Sequence, residues 1–172
     1  LEDCYEVDRE NPLGEGSFGI VYPARSKNKN DKNADVAVKV VSLQHVDIIA
    51  LQGEIKLLEK LGSHPKIVSI YGTFVTDTHV SIILERLWGA ELFDHIAEIG
   101  PYSENVAKQY ISQIIDGIEF MHSMDIAHRD IKPENILLAS ADENITDIRI
   151  IDVGLAKSMK ESSHTDCGTL LY

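Results

Sequence analysis

The segment AHRDIKPEN, at residues 127–135, holds three side chains that could carry out group transfer. Pro133 excludes a regular helix or a central strand here, so the charged groups must lie on a loop. On such a loop Asp130 could accept the proton of a hydroxyl group, Lys132 could neutralise a phosphoryl group, and Asn135 could bind Mg²⁺. The alternative is a solvated turn without function, but such a turn requires no ordered set of this kind.

A carboxylate that could hold a metal ion follows in the segment IIDVGLA. Asp152 comes after an apolar strand and shortly before a glycine, a natural place for a carboxylate that binds magnesium on nucleotide phosphates. Taken alone, an aspartate at a strand end is more often only a turn residue.

Three glycines, Gly14, Gly16 and Gly19, occur in the segment GEGSFGIV. Without Cβ atoms, their backbone N–H groups can approach phosphate oxygens. The same spacing marks dinucleotide folds, but there it opens a helix, whereas β-branched residues here continue a strand. The remaining alternative is a flexible hairpin.

Lys39 lies inside the apolar run VAVKVV. A buried ammonium group is costly unless an anion pairs with it, and Glu54 on the next predicted helix is the best candidate, with nucleotide phosphates as a second partner. Alternatively, the lysine could extend to solvent from an edge strand.

The elements that must position these residues change in character along the chain. The first part predicts strands and one helix, because β-branched residues alternate with a single stretch of helical spacing. The strands are predicted near 20–22, 36–41, 67–74 and 79–84, the helix over 47–61, and a hairpin loop over the polar stretch 26–35.

The second part predicts a long helix from the N-cap Ser103 to Met121. Its apolar face consists of Val106, Ala107, Tyr110, Ile111, Ile114, Ile115 and Ile118. Short strands are predicted at 136–138 and 148–151, and a hinge between two lobes at 85–90.

Composition limits the partners. The 172 residues are 44% apolar and carry 16 basic and 28 acidic side chains, a net charge of −12, which argues against nucleic acid and favours basic peptides. The longest apolar runs are much shorter than the ~20 residues that span a bilayer, so we expect no membrane partner. The acidic first residues predict no secretory signal, and Cys4 and Cys167 are expected as free thiols, so we expect a cytoplasmic or nuclear location.

Taken in order, the glycine-rich segment, the strand lysine, the HRD loop and the Asp152 segment resemble the signature set of protein kinases. The resemblance implies a bilobal α+β fold, with an antiparallel β-sheet lobe at 1–87 and the first part of a helical lobe at 88–172. It also implies ATP and Mg²⁺ as cofactors. By this resemblance Lys39 contacts phosphates and pairs with Glu54, Asp130 is the catalytic base assisted by Lys132, and Asn135 and Asp152 hold the metal ions.

The same resemblance implies further nucleotide contacts, from the three glycines and from side chains or backbone around the adenine and ribose. These residues are Leu13, Val21, Ala37, Glu85, Leu87, Glu91 and Leu138, with Glu91 contacting ribose or substrate.

Lys132 and the later pair Gly168 and Thr169 resemble serine/threonine kinases, and the segments around them resemble the calcium/calmodulin-dependent group, with checkpoint effector kinases closest. Protein substrates, expected to be basic, are the implied partners. Arg129 beside Asp130 implies ordering by phosphorylation, by an activating kinase or by autophosphorylation. The candidate acceptors are Ser158, Ser162, Ser163 and Thr165.

Two features depart from the family pattern. Val153 stands where the family has phenylalanine, and the sequence stops at Tyr172, before the large helices expected to support the catalytic loop. We therefore expect apolar surface on the Ser103 helix to lack cover. The alternative to an active kinase is a truncated kinase-like protein that binds nucleotide or a partner with little turnover.

Replacing Val153 by phenylalanine tests the first departure. We expect Val153→Phe to raise activity or stability, because the smaller side chain forgoes buried contacts worth about 1–3 kcal/mol. Thermal unfolding and phosphate transfer measure the change. Equal activity and equal melting temperature in the two proteins would contradict the packing argument.

Overall fold

The computed structural model describes residues 1–16, 19–44, 46–142, 146–153 and 156–158. They form two compact units, the first from Leu1–Ile55 with Ser69–Arg86, and the second from Lys56–Val68 with the described residues from Leu87 onward. The first unit is built on a sheet. The described part of the second unit is built on helices together with short strands. The fold class is α+β, as the sequence predicts.

The sheet of the first unit is antiparallel throughout its described strands. Its strands are β1 (Tyr5–Val7), β2 (Gly14–Gly16), β3 (Gly19–Ser26), β4 (Asp35–Ser42), β5 (Ile70–Val75) and β6 (His79–Glu85). Their order is β1, β3, β4, β6, β5, and β2 pairs with the same strand β3. The predicted hairpin loop joins β3 to β4, where Ser26 N–H donates to the Ala34 carbonyl at 2.7 Å.

Pro23 lies inside β3, which is longer than the predicted strand at 20–22. Its carbonyl accepts a hydrogen bond from Asp8 N–H at 3.0 Å, on the edge where β1 and β2 pair with β3. Because the N and O atoms of a strand residue point to the same edge, the missing donor of Pro23 faces the gap between β1 and β2. No hydrogen bond to β4 is lost, and the strand continues.

Alternate residues of β4 face opposite sides of the sheet. One side buries Ala24, Val36, Val38 and Ile83, and the other side buries Val41, Val80 and Ile82 against Leu51 of the following helix. Lys39 belongs by alternation to the side that the helix covers. The regular pattern of the run VAVKVV thus decides which face of the sheet carries the lysine.

The helix α1 (Ile48–Leu61) begins in the first unit and ends in the second. Asp47 caps it, because its Oδ1 atom accepts hydrogen bonds from Ile49 N–H at 2.9 Å and Ala50 N–H at 3.2 Å. The side chains of Leu51, Glu54, Leu58 and Leu61 are buried along its length, at the spacing of one helical face. The predicted helix is confirmed.

Two further helices, α2 (Leu92–Ile99) and α3 (Glu104–Ser123), belong to the second unit. Ser103 is the N-cap of α3, as predicted, and its Oγ accepts a hydrogen bond from Val106 N–H at 3.4 Å. The core around these helices consists of Leu92, Tyr110, Ile114, Ile136, Leu138, Ile148 and Ile150. Among the described residues, no helix combines the length and the apolar composition that crossing a membrane requires.

The predicted apolar face of α3 is only partly covered by the described residues, in agreement with the expected lack of cover on this helix. Ile111 and Ile115 are 54% and 56% exposed, while Tyr110 and Ile114 are buried. The buried stripe is therefore narrower than the apolar stripe in the sequence. Helical spacing shows which residues share a side, but not how wide the neighbouring core is.

Short strands complete the second unit. They are β7 (Ile126–Ala127), β8 (Ile136–Leu138), β9 (Ile148–Ile150) and β10 (Lys157–Ser158), with a 3-10 turn at Pro133–Asn135. β8 pairs with β9 and β7 pairs with β10, both antiparallel. The strands predicted at 136–138 and 148–151 are confirmed, the second ending at Ile150.

The other edge of β9 pairs with a segment that the sequence assigns to a different strand. Val68 N–H donates to the Ile150 carbonyl at 3.0 Å, and Ile150 N–H donates to the Lys66 carbonyl at 2.9 Å. The predicted strand at 67–74 is therefore wrong at its start, since Ile67 and Val68 belong to the second unit and β5 begins at Ile70.

Charged side chains also hold the start of β9. Lys66 Nζ pairs with Asp147 and donates to Gln113 Oε1 of α3 at 2.7 Å, and Arg149 Nη1 donates to Asp147 Oδ2 at 2.9 Å. Burial raises the pKa of the Asp147 carboxyl, but the hydrogen bonds from Lys66 and Arg149 outweigh it, so this pKa is lowered.

Gly89 is a position that only glycine fits. An added Cβ atom would lie 2.4 Å from Leu138 Cβ and 2.6 Å from the carbonyl oxygens of Leu138 and Ser140. The backbone comes this close because Gly89 N–H donates to the Leu138 carbonyl at 3.1 Å. The segment after Arg86 is thereby fixed directly on β8.

We expect Gly89→Ala to lower the free energy of unfolding by about 1–3 kcal/mol or more, because fixed backbone atoms cannot make room for the methyl group. Gly53→Ala is the matched control: at Gly53, inside α1, a Cβ meets no described atom within 4 Å. There alanine should stabilise by about 0.5–1 kcal/mol through helix propensity. Denaturant unfolding measures both, and changes of the same sign would refute the close approach at Gly89.

Candidate active site

Lys39 and Glu54 form an ion pair in the first unit. Lys39 Nζ lies 2.7 Å from Glu54 Oε1, and the side chains are only 15% and 8% exposed. Glu54 follows the buried Leu51 by nearly one helical turn, so it meets the sheet face on which alternation places Lys39. Removing either partner would leave a buried charge without compensation, at a cost of about 3–5 kcal/mol. The structure thus contains the ion pair that the sequence predicts.

The glycines before this pair have different local roles. Gly19 has a φ of 147°, and an added Cβ atom would lie 2.2 Å from the Val40 carbonyl oxygen, so the pairing of β3 with β4 requires glycine there. At Gly14 an added Cβ atom meets no described atom within 4 Å. Packing in the first unit therefore explains Gly19 but not Gly14. Gly16 ends β2 opposite Gly19.

Other predicted nucleotide contacts of the first unit share the sheet face of Lys39. Val21 pairs with Lys39, and Pro23 pairs with Ala37, so Val21 and Ala37 lie on that same side. Leu13 is held beside Val21, because its N–H donates to the Val21 carbonyl at 2.8 Å.

Glu85, the last residue of β6, was predicted to offer backbone groups to adenine. Its N–H donates to the Ser69 carbonyl at 2.9 Å, and its side chain accepts from Ser69 N–H at 3.3 Å. The amide hydrogen of Glu85 is therefore already used within the first unit.

Asp130, Lys132 and Asn135 come together on the loop of the second unit. Lys132 Nζ lies 3.1 Å from Asp130 Oδ2, and the two side chains are 21% and 11% exposed. Asn135 Nδ2 donates to the same Oδ2 atom at 3.0 Å and to the Asp130 carbonyl at 2.8 Å. A cation and an amide thus fix the carboxylate from two sides.

The orientation of Asn135 suits a cation. Because its amide nitrogen serves Asp130, the amide oxygen is the end that remains for a hard metal ion. Asp152 adds an exposed carboxylate with a φ of 58°. Within the described residues, no group of three or more His, Cys, Asp or Glu side chains could enclose a metal. An amide oxygen and a carboxylate are hard oxygen donors of the kind that Mg²⁺ takes, one or two at a time, together with phosphates.

His128 connects the loop to the strand before Asp152. Its Nε2 lies 3.1 Å from the Ile151 carbonyl, and its Nδ1 accepts a hydrogen bond from Asp130 N–H at 3.3 Å. The two contacts assign the neutral tautomer with the proton on Nε2. Ile151 N–H in turn donates to the Asn135 carbonyl at 2.9 Å. Val153 is buried, with 1% of its surface exposed.

The remaining predicted contacts lie where the chain pairs with β8. Leu138 N–H donates to the Ala90 carbonyl at 3.0 Å, and Glu91 pairs with Leu137. Leu87 and Leu138 are both buried in the second unit.

Two further acidic side chains, Asp94 and Glu134, lie near Glu91. Of these three residues, only Glu91 was predicted as a site residue. Burial, followed by the charges of Asp94 and Glu134, raises the pKa of Glu91. Asp94 stands three residues further along, at the spacing of neighbours on a helix, and this signal was available in the sequence. Glu134 is distant in sequence, and only the fold brings it near.

The environment of His128 predicts a dependence of stability on pH. Burial lowers the pKa of its imidazole, against opposing effects of the Ile151 carbonyl, Asp152 and Asp130. Above the ordinary value of 6.5 both folded and unfolded chains hold it neutral. Below that value the unfolded chain binds the proton first, so stability falls as the pH drops from 6.5 towards the lowered pKa.

We therefore expect the melting temperature of the unmodified chain to fall faster between about pH 7 and about pH 5.5 than that of His128→Gln, which cannot titrate there. His122→Gln, at an exposed position of α3, is the matched control and should follow the unmodified chain. Differential scanning calorimetry across this range gives the curves. Parallel curves for the unmodified chain and His128→Gln would contradict the burial argument.

Comparison with known proteins identifies the family. A model of the protein kinase domain matches residues 7–172. A probable myosin light chain kinase of Dictyostelium discoideum is 38% identical over 177 residues, covering 100% of this chain and 44% of that protein. Calcium/calmodulin-dependent protein kinase type 1 of Macrobrachium nipponense is 39% identical, covering 100% of this chain and 49% of the relative. CBL-interacting protein kinase 26 of Oryza sativa subsp. japonica is 36% identical over 100% of this chain and 34% of its own length.

The chain spans about half the length, or less, of these curated relatives. Their names agree with the predicted likeness to calcium/calmodulin-dependent kinases, while the likeness to checkpoint effector kinases stays a prediction. The family match covers nearly all of the sequence, including the segments that carry the lysine, the loop aspartate and Asp152. The chain therefore belongs to the protein kinase domain family.

Proposed function

We propose that the protein containing this chain transfers the γ-phosphoryl group of ATP to serine or threonine side chains of other proteins. The observation that carries the proposal is the fixed carboxylate of Asp130, bound by Lys132 at 3.1 Å and by Asn135 at 3.0 Å on a loop stabilised from behind by His128. A carboxylate held in this way can accept the proton of a substrate hydroxyl while the adjacent ammonium group offsets charge on the phosphoryl oxygens.

The first unit supplies groups for the nucleotide. Lys39, oriented by Glu54, is the cation for the α- and β-phosphates, and Leu13, Val21 and Ala37 offer apolar contacts to adenine. At Gly14 an added Cβ atom would meet no described atom within 4 Å, and a glycine there allows the close approach of backbone N–H groups to phosphate that we propose.

The second unit supplies groups for the metal ion and the acceptor. Asn135 and Asp152 would hold Mg²⁺, which neutralises phosphate charge when bound. Leu87 and Leu138 would contact adenine, and Glu91 ribose or substrate. The hydrogen bonds of Ile151 to Asn135 and His128 connect the Asp130 loop to the residue that precedes Asp152. Proton acceptance and metal binding therefore depend on the same stretch of backbone.

The acidic group of Glu91, Asp94 and Glu134 supports basic protein substrates. Together with a net charge of −12, it favours a peptide that carries lysine or arginine near the acceptor hydroxyl. Specificity for serine or threonine rests on Lys132 and on Gly168 with Thr169, of which the last two lie outside the described residues, as do the candidate acceptors Ser162, Ser163 and Thr165. A cytoplasmic or nuclear location is part of the same proposal.

The second candidate is a kinase-like protein that binds nucleotide or a partner with little turnover. One observation favours it: Val153 is fully buried where kinases carry a phenylalanine, so the segment after Asp152 is packed with less apolar surface. Both candidates use Lys39, Asn135 and Asp152 for nucleotide and metal, and they differ only in whether Asp130 acts as a base.

Transfer of radiolabelled phosphate from ATP to a basic serine peptide tests the proposal. The proteins compared are this 172-residue chain, a longer protein that contains it, Asp130→Asn and the control Asp116→Asn, an exposed carboxylate on α3. We expect Asp130→Asn to lower kcat by about 10²- to 10⁴-fold, the contribution of a general base, and Asp116→Asn to leave it unchanged.

Matched peptides define the acceptor. A tyrosine in place of serine, or glutamate in place of the basic residues, should reduce transfer. Transfer by the short chain that disappears in Asp130→Asn would exclude the second candidate. Nucleotide binding without transfer in both the short and the longer protein would support it and overturn the proposal.

A further inference from the structure

A cavity of about 220 Å³ lies on the face of the first-unit sheet opposite to Lys39. Its lining comes from the side chains of Arg9, Ile20, Tyr22, Val40, Ser42 and His79. Cross-strand pairing explains why they meet, since Ile20 is the partner of Val40 and Ser42 is the partner of His79.

The floor of the cavity is apolar. Val40 packs against the buried cluster of Ala24, Val36, Val38 and Ile83, and Ile20 lies beside it. The Tyr22 ring forms a third apolar wall. The space measures about 220 Å³ and is open to solvent on one side, so a single ring system with a short substituent matches its size.

A cation stands at the edge of this floor. The Arg9 guanidinium carbon lies 5.7 Å from the centre of the Tyr22 ring, which orients it over the aromatic face. Arg9 Nη2 donates to Glu2 Oε1 at 2.8 Å, and these two side chains are 51% and 67% exposed. A guanidinium has five N–H donors, so a second carboxylate can bind without displacing Glu2.

We propose that this cavity is a binding site for a small aromatic carboxylate. The ring would cover Ile20 and Val40, and the carboxylate would bind the guanidinium group of Arg9. A cationic analogue and a neutral ring would both lack the charge-assisted hydrogen bonds that a carboxylate accepts from Arg9. The ligand would contact β3 and β4 on the reverse side of the strands that carry Val21 and Lys39.

Binding of three compounds with the same ring tests the site: indole-3-acetate, indole and tryptamine. Isothermal titration calorimetry on the full chain gives the affinities, and amide chemical shifts locate the ligand. We expect indole-3-acetate to bind about tenfold more tightly than indole, and tryptamine to bind no more tightly than indole. Shifts should be largest at Gly19, Ile20 and Val40.

Two variants and a control complete the test. Arg9→Gln should weaken binding of indole-3-acetate to the level of indole, whereas Arg25→Gln, an exposed arginine paired with Asp35 on the neighbouring strands, should leave it unchanged. Ser42→Tyr should fill the cavity from its exposed edge and abolish binding with the melting temperature preserved. No binding of indole-3-acetate, equal binding of tryptamine, or no effect of Arg9→Gln would overturn the proposal.

Discussion

The backbone of a single residue, Ile151, connects the loop that carries the proposed base to the segment that carries Asp152. Its N–H binds the Asn135 carbonyl at 2.9 Å, and its carbonyl lies 3.1 Å from His128 Nε2. His128 also accepts from the N–H of Asp130, and the residue after Ile151 is Asp152. The proposed base, the proposed metal ligands and the histidine are therefore all connected, by hydrogen bonds or by the chain itself, to the backbone of Ile151, which follows directly on β9. Because β9 is paired on both edges, that strand cannot shift without breaking hydrogen bonds on each side.

The first unit depends on a different kind of interaction. Placing the Lys39 and Glu54 charges among apolar side chains has a desolvation cost, and two apolar side chains of similar volume could stabilise the same site as well or better. The ion pair is therefore poorly explained by stability alone. It is well explained by a requirement for an oriented ammonium group, which is the role we propose for Lys39.

Sequence patterns predicted the parts of the fold that depend on local alternation and spacing. The run VAVKVV predicted β4, and Ser103 predicted the start of α3. The helix α2 was missed, because it is only eight residues long and Glu91 at its N-cap makes no side-chain capping bond. Ile67 was assigned to the wrong strand, since its partner Ile150 is distant in sequence.

In the candidate site, too, the local features were predictable from the sequence and the tertiary ones were not. The pairing of Asp130 with Asn135 is local and was predictable as a loop cluster, whereas the place of Glu134 beside Glu91 depends on the tertiary fold. The cavity near Arg9 depends on the register of β3 with β4 and β6, which composition does not determine.

Pro23 divides one edge of β3 into two stretches that can separate independently. β1 pairs with Ala24 to Ser26, and β2 pairs with Gly19 to Val21, so the proline without a donor lies between the two ladders. Opening the glycine hairpin therefore breaks only its own short ladder and leaves the N-terminal strand in place. The β2 hairpin, which we propose covers the bound nucleotide, can therefore open and close along β3 without moving β1.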